Sequence, residues 1–364
     1  MYLSHFSPIP PQFSIPQEDA VAKLVGLRLA LNPEWDQRMI EKRIRRFGLA
    51  NAKIKSRGTE ILDYAVETKN EKSAYTFFKD GHLPDLDVRM QYYLSKTESV
   101  FKKWYDADRH PPDHLIHVSC TGYTSPNAAQ KLSATWMKEK GKAVVVTNAY
   151  HMGCYASLPA LRIAQGLIGD RIDIAHNELC TLHFDPHTLE AEQIVVQSLF
   201  ADGHIRYSCS KHRPELGFEI ESLKEEIIPD TDTQMTWSPG ALHFKMRLSC
   251  EVPELIKQHL KPFVSRLLES SKHTPNAPLI FAIHPGGPKI IEAVEEALAL
   301  SPETTEESHA VLAECGNMSS ATLPHIWNRI LTNPKREKDT TVVSLAFGPG
   351  LTLSGGVFRL CRSN

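Results

Sequence analysis

The feature that most restricts what this chain can become is an alternation of short apolar, β-branched runs with helical segments. His114–Cys120 (HLIHVSC) reads as a strand, Ser125–Lys140 as a helix entered through Pro126, and Lys142–Thr147 (KAVVVT) as a strand. The stretch 154–168 follows as a helix apolar nearly all round, and 173–180 as another strand. The second half repeats the rhythm: helix 254–269, strand 279–284, helix 289–299, helix 319–329 and strand 341–347. Runs of strand length alternating with helices predict a layered α/β fold. Upstream, residues 17–47 and 86–106 read as helices, and the Pro-rich first fifteen or so residues as extended chain. At 364 residues there is enough chain for two fused halves with sizeable cores. The join falls near 215–230, giving halves 1–222 and 223–364.

Composition excludes several partners. A formal net charge of -2 leaves no general surplus for nucleic acid or an anionic membrane surface. No apolar run approaches the roughly 18 residues of a membrane span, and the N-terminus lacks the order of a secretory signal. A cytoplasmic protein is expected. The seven cysteines, at 120, 154, 180, 209, 250, 315 and 361, form no CxxC pair, so reduced thiols are the default. No metal-ligand spacing appears around them or the histidines, and no metal is expected.

Three segments could carry chemistry. In Tyr150-His151-Met152-Gly153-Cys154-Tyr155 a strand ends in a turn, and glycine and cysteine precede a buried helix. A sulfur at a helix N-terminus meets free N–H groups that favour the thiolate, so a lowered pKa is expected; the competing reading is an inert buried cysteine. In Ile283-His284-Pro285-Gly286-Gly287-Pro288 a histidine stands at the C-terminal end of an apolar strand. It could pair with a thiolate or donate to an oxyanion, or simply be satisfied in a tight turn. In Gly316-Asn317-Met318-Ser319-Ser320-Ala321 an asparagine precedes a helix. Its carboxamide could donate to an oxyanion or merely cap the helix.

Together and in this order, the segments resemble the type III polyketide synthase (chalcone synthase-like) family, with its GC turn, HPGGP and GNMSSA. Ser198-Leu199-Phe200-Ala201-Asp202-Gly203 is similar to that family's LFGDG segment, and Phe347-Gly348-Pro349-Gly350-Leu351-Thr352 to its GFGPGLT loop. The resemblance runs from about residue 40 almost to the C-terminus. It implies a thiolase-like, five-layered αβαβα fold from two duplicated halves, and a homodimer.

The resemblance also implies a reaction. Cys154 would take an acyl group from a coenzyme A thioester, and no permanently bound cofactor is needed. His284 and Asn317 would donate to the enolate left by decarboxylation of malonyl-CoA, and repeated two-carbon additions would give a poly-β-keto chain. Phe200 matches a gatekeeping aromatic, and a second gate falls near Met246. Thr121 and Gly122 resemble a strand end of bacterial members, whereas Cys180 and His183 replace threonines of plant members. Ser319, Phe347, Gly348 and Pro349 are implied in substrate binding, and Lys53, Lys55 and Arg57 in holding the CoA phosphates; a solvated basic loop would look the same. Rival readings are a single-condensation ketosynthase served by an acyl carrier protein, a Cys-His-Asn thioester hydrolase, and a catalytically silent homologue.

Overall fold

The structure, a computed structural model, describes residues 1–48, 53–65, 83–106, 108, 110–274 and 277–363. Its strands, in chain order, are β1 (Tyr2–Ile9), β2 (Phe13–Pro16), β3 (Ser56–Thr59), β4 (His114–Ser119), β5 (Val145–Tyr150), β6 (Ile172–Leu179), β7 (Asp202–Ser210), β8 (Leu216–Ile227), β9 (Met235–Pro239), β10 (Phe244–Leu248), β11 (Leu279–Ile283), β12 (Thr341–Gly348) and β13 (Thr352–Arg362). The helices are α1 (Gln17–Leu31), α2 (Gln37–Phe47), α3 (Leu62–Ala65), α4 (Leu86–Asp106), α5 (Ala128–Lys140), α6 (Ser157–Gly166), α7 (Ala191–Leu199), α8 (Val252–Glu269), α9 (Pro288–Leu298), α10 (Glu306–Cys315) and α11 (Thr322–Thr332).

Nine strands form one mixed sheet in the order β11-β12-β13-β8-β1-β7-β6-β4-β5. β4 runs parallel to both β5 and β6, and β11 runs parallel to β12, so each half carries a parallel unit flanked by antiparallel strands. The Pro-rich start of the chain is the seam. β1 pairs with β7 along its length but meets β8 only through Tyr2 and Leu3. The expected join at 222/223 falls inside the twelve-residue strand β8, where Ser222 pairs with Val357 of β13.

Layering follows from the two-residue period of the strands. Along β12, Val342 and Ala346 face one core with α6 and α11, while Val343, Leu345 and Phe347 face another with α8 and α9. β4 is divided likewise: Ile116 and Val118 join the central core, and Leu115 joins an outer core with α4 and α5. Helices, strands, the buried pair α6/α11, strands and helices thus stack as five layers, the expected αβαβα arrangement. In α6 the residues Ser157–Leu161 and Ala164 are buried, which accounts for its apolar start, while Arg162 and Gln165 are exposed.

Several boundaries differ from the sequence reading. The expected helix 17–47 is two helices, because Pro33 interrupts it and the Asp36 side chain accepts from the Met39 N–H to start the second. The expected strand 142–147 lies three residues later. Val145 on this edge strand is 55% exposed, so apolarity there does not mark the buried part. The helix expected from Cys154 begins at Ser157, after a turn that carries the cysteine. Among the described residues no helix is long and apolar enough to cross a membrane.

Candidate active site

The parallel strands β4, β5, β11 and β12 all end toward one region, and the chemistry-bearing segments begin there. Open α/β sheets gather their functional groups at such carboxyl ends. After β5 the chain turns sharply through His151 and Gly153, both with positive φ (61° and 87°). A side chain at residue 153 would also stand 2.7 Å from Pro349 Cδ, so position 153 is closed to anything but glycine. This turn fixes Cys154, which is 6% exposed, with its thiol directed at the Ser319 hydroxyl 3.9 Å away.

His284 follows β11 and extends its ladder, donating its N–H to Leu345 O at 2.8 Å. It is 1% exposed, and neither ring nitrogen has a hydrogen-bond partner. Asn317 is held through its backbone: its N–H donates to Leu199 O, and its carbonyl accepts from Ala201 N–H. Its Oδ1 is engaged by the Ser319 N–H at 2.8 Å, which assigns the opposite face of the carboxamide to Nδ2. That Nδ2 makes no hydrogen bond of ordinary geometry, although the carboxamide lies close enough to favour a Cys154 thiolate.

Cys154, His284 and Asn317 therefore border one cavity of about 350 Å³, the outer cavity, together with Phe200, Met246 and Phe347. A second, inner cavity of about 490 Å³ is bordered by Cys154, Phe200 and Met246 again, and by Thr121, Cys180, His183 and Ser319. The sulfur and the two side chains Phe200 and Met246 are thus common to both spaces.

Burial dominates the electrostatics. It pushes the Cys154 thiol up to about 12, against opposing effects of Ser319, Asn317 and the cysteine's own backbone N–H. It also lowers His284 to about 3, so the imidazole is neutral. This corrects the expectation of a thiol acidified by a helix terminus. The sulfur precedes α6 by a turn and sits in an enclosed apolar space, where desolvation outweighs the dipole.

Comparison with known proteins bears on the fold and the family. Residues 219–361 match the family model described as chalcone and stilbene synthases, C-terminal domain. The chain is 25% identical to the type III polyketide synthase C of Arabidopsis thaliana over 376 aligned residues, covering 94% of this chain and 96% of that protein. It is also 30% identical over 268 residues to the probable polyketide synthase 1 of Dictyostelium discoideum, covering 70% of this chain and only 8% of that much longer protein. The chain superimposes on the C-terminal type III polyketide synthase domain of Steely1, a type I/III hybrid from Dictyostelium, with a TM-score of 0.81, 22% identity and 99% coverage of both chains.

Residues 219–361 thus carry the C-terminal domain of chalcone and stilbene synthases, and the chain is similar over nearly its whole length to a type III polyketide synthase.

The remaining expected residues divide. Phe347 borders the outer cavity, and Thr121, Cys180, His183 and Ser319 the inner one. His183 is spoken for: its Nε2 donates to Thr121 O at 2.7 Å and its Nδ1 accepts from Phe244 N–H at 3.1 Å. It shapes the wall rather than offering a polar group. Gly348 and Pro349 do not border either cavity. Pro349 packs against Gly153, and a side chain at Gly348 would stand 2.0 Å from the Tyr155 ring, so both brace the nucleophile turn.

Arg57 is a correction. It is 5% exposed, and its guanidinium donates to Gln17 Oε1 (2.7 Å), Gln197 O (2.9 Å) and Phe200 O (2.7 Å). Burial lowers its pKa to about 10. Such a group fixes the Phe200 backbone and is not available to a phosphate. Lys53 is on the surface in an ion pair with Glu292 at 2.7 Å, and Lys55 is exposed.

Trp237 and Phe244 of the β9–β10 hairpin, and Phe184, also border the inner cavity and were not anticipated. No motif marks them. The available signal was an aromatic pair seven residues apart in a short hairpin, a pattern that common core residues share. Glu178 was missed as well. It is fully buried against Cys120 N–H, Thr121 and Ser320 hydroxyls, and burial raises its pKa.

Proposed function

We propose that this protein is a decarboxylative condensing enzyme that loads an acyl-CoA starter onto Cys154 and extends it with malonyl-CoA to a poly-β-keto product open to cyclisation. One observation carries the reading: three unpartnered polar atoms, the two ring nitrogens of His284 (one a donor in the neutral ring) and the donor Asn317 Nδ2, border the same buried cavity as the thiol. A buried donor without a partner costs about 1–3 kcal/mol, so such groups call for a ligand acceptor.

In the first step His284 accepts the Cys154 proton as the sulfur attacks the acyl thioester carbonyl, and coenzyme A leaves as a thiolate that takes that proton from His284. In the second step malonyl-CoA places its thioester oxygen toward His284 N–H and Asn317 Nδ2. Loss of CO2 leaves the electron pair as an enolate, which those donors stabilise without protonating carbon. The enolate carbon then attacks the acyl group on Cys154, a new C–C bond forms, and the C–S bond to Cys154 breaks. Phe200 and Met246, common to both cavities, serve as the gate between CoA entry and the elongation chamber, with Thr121, Cys180, His183 and Ser319 as chamber wall. The Thr121-Gly122 strand end supports a chamber of bacterial type.

Asn317 favours this reading over a Cys-His-Asn hydrolase. In a hydrolase the asparagine oxygen would orient the histidine, whereas here Oδ1 is occupied by Ser319 N–H and the histidine ring has no partner. We assign CoA phosphates to Lys53 and Lys55, since Lys53 pairs with Glu292, two residues from Ile290 on the outer cavity. The β5 edge, with Val145 exposed, supports pairing with a second copy in a homodimer. Seven free thiols fit a reducing, cytoplasmic setting. The division into halves 1–222 and 223–364 is supported by the family model, which begins at residue 219.

The test is product analysis by mass spectrometry from a panel of acyl-CoA starters with malonyl-CoA. Multiple two-carbon additions, ending in a pyrone or resorcinol, are expected. Free acid without CO2 release would mean hydrolysis, and a single β-keto product held on carrier protein would mean a single-condensation ketosynthase.

A further inference from the structure

We propose that Phe184 is a gate into a further apolar cavity, and that this cavity takes the tail of a long aliphatic acyl group carried on Cys154. The inference rests on the acyl-transfer reading above and names its substrate class.

Behind the inner cavity lies a separate space of about 300 Å³, bordered by Ile15, Ala20 and Leu24 near the N-terminus and by Tyr64, Thr181 and Phe184. The wall between the two is the short 3₁₀ turn Cys180–His183. Cys180 and His183 face the inner cavity and Thr181 faces the other, while Phe184 borders both. Its ring stands edge-on to Tyr64 with centroids 5.6 Å apart, so it is the side chain whose rotation would join the spaces. Turned aside, it would open one continuous path from the Cys154 sulfur to α1.

The chemistry of this far space selects the ligand. Its Thr59 and Thr181 hydroxyls are bonded to each other at 2.8 Å, and Thr181 donates on to Asp202 at 2.7 Å. The guanidinium of Arg57, which also borders it, already has three carbonyl acceptors. These polar groups need nothing further, and the rest of the lining just named is aliphatic or aromatic. An apolar chain gains there by leaving water, at roughly 0.8 kcal/mol, or about fourfold in affinity, per methylene. A short or compact starter would end in the inner cavity and gain nothing.

The experiment measures kcat/KM for saturated acyl-CoA starters from six to eighteen carbons, with malonyl-CoA and product quantified by mass spectrometry. The wild type should gain up to about fourfold per added methylene until the far space is full. Leu24→Phe and Ala20→Leu narrow that space from different turns of α1, and each should lower the long-to-short ratio by about tenfold or more, the loss of roughly two buried methylenes. Phe184→Ala should raise that ratio. Thermal unfolding identifies any variant that fails to fold, and the ratio is read from those that do. Condensation with a chain-length profile unaltered in every folded variant overturns the inference alone. No condensation with any starter overturns the acyl-transfer reading itself.

Discussion

The backbones of Phe200 and Asn317 are bridged: Asn317 donates to Leu199 O at 3.0 Å and accepts from Ala201 N–H at 2.8 Å. The aromatic side chain common to both cavities and the carboxamide beside the thiol are therefore one rigid unit, although 117 positions apart. Arg57 clamps the same unit from below by donating to Phe200 O. A perturbation of the gate is expected to move the oxyanion donor, and the converse.

Asn317→Asp keeps the oxygen that accepts from Ser319 but replaces the free donor with an acceptor. Malonyl-CoA decarboxylation should fall by about 10²–10³, the usual effect of losing one oxyanion donor. Acylation of Cys154 from a starter alone should fall much less. The two rates are separable by CO2 release and by protein mass; equal losses would mean that Asn317 does not act on the enolate.

Arg57→Met removes a buried cation but leaves Gln197 O and Phe200 O without their donor. A loss of stability of about 3 kcal/mol is expected. The KM for acyl-CoA should change little once the folded fraction is accounted for. A rise in KM without loss of stability would return Arg57 to the CoA site.

Asp202 gives a pH signature. Burial raises its carboxyl from 3.8 to about 7, against hydrogen bonds from Glu60 N–H and Thr181. Above about pH 4 the unfolded chain has released this proton and the folded protein still holds it. The contribution of Asp202 to stability is therefore largest below pH 4, falls as pH rises toward 7, and is level beyond. Chemical denaturation across pH 4–7 should show that decline in the wild type and a flatter profile in Asp202→Asn; identical slopes would contradict the raised value.

The three segments that border the cavity were legible because each is local. A glycine before the cysteine, a histidine ending an apolar strand and an asparagine after Gly316 are all written within six residues, and strand ends bring them together. Arg57 was misread because its burial depends on carbonyls at 197 and 200, some 140 positions away, and a basic run looks the same whether solvated or clamped. Gly348 and Pro349 sit in a recognisable loop, but only the packed fold shows them bracing Gly153 and Tyr155 instead of lining a cavity. The state of Cys154 was misjudged for a related reason: a helix terminus is visible in sequence, whereas the desolvation that opposes it is a property of the assembled cavity. Trp237, Phe244 and Phe184 reach the chamber only through tertiary packing of the β9–β10 hairpin and the 3₁₀ turn.

The central claim is that Cys154 carries the acyl chain in the presence of His284 and Asn317. Intact-protein and peptide mass spectrometry after brief exposure to an acyl-CoA, with wild type and Cys154→Ala side by side, tests it most directly. The account predicts the acyl mass on the Cys154 peptide of the wild type and none on the variant. Acylation that persists in Cys154→Ala, or that maps to Cys120 or Cys180, would contradict it.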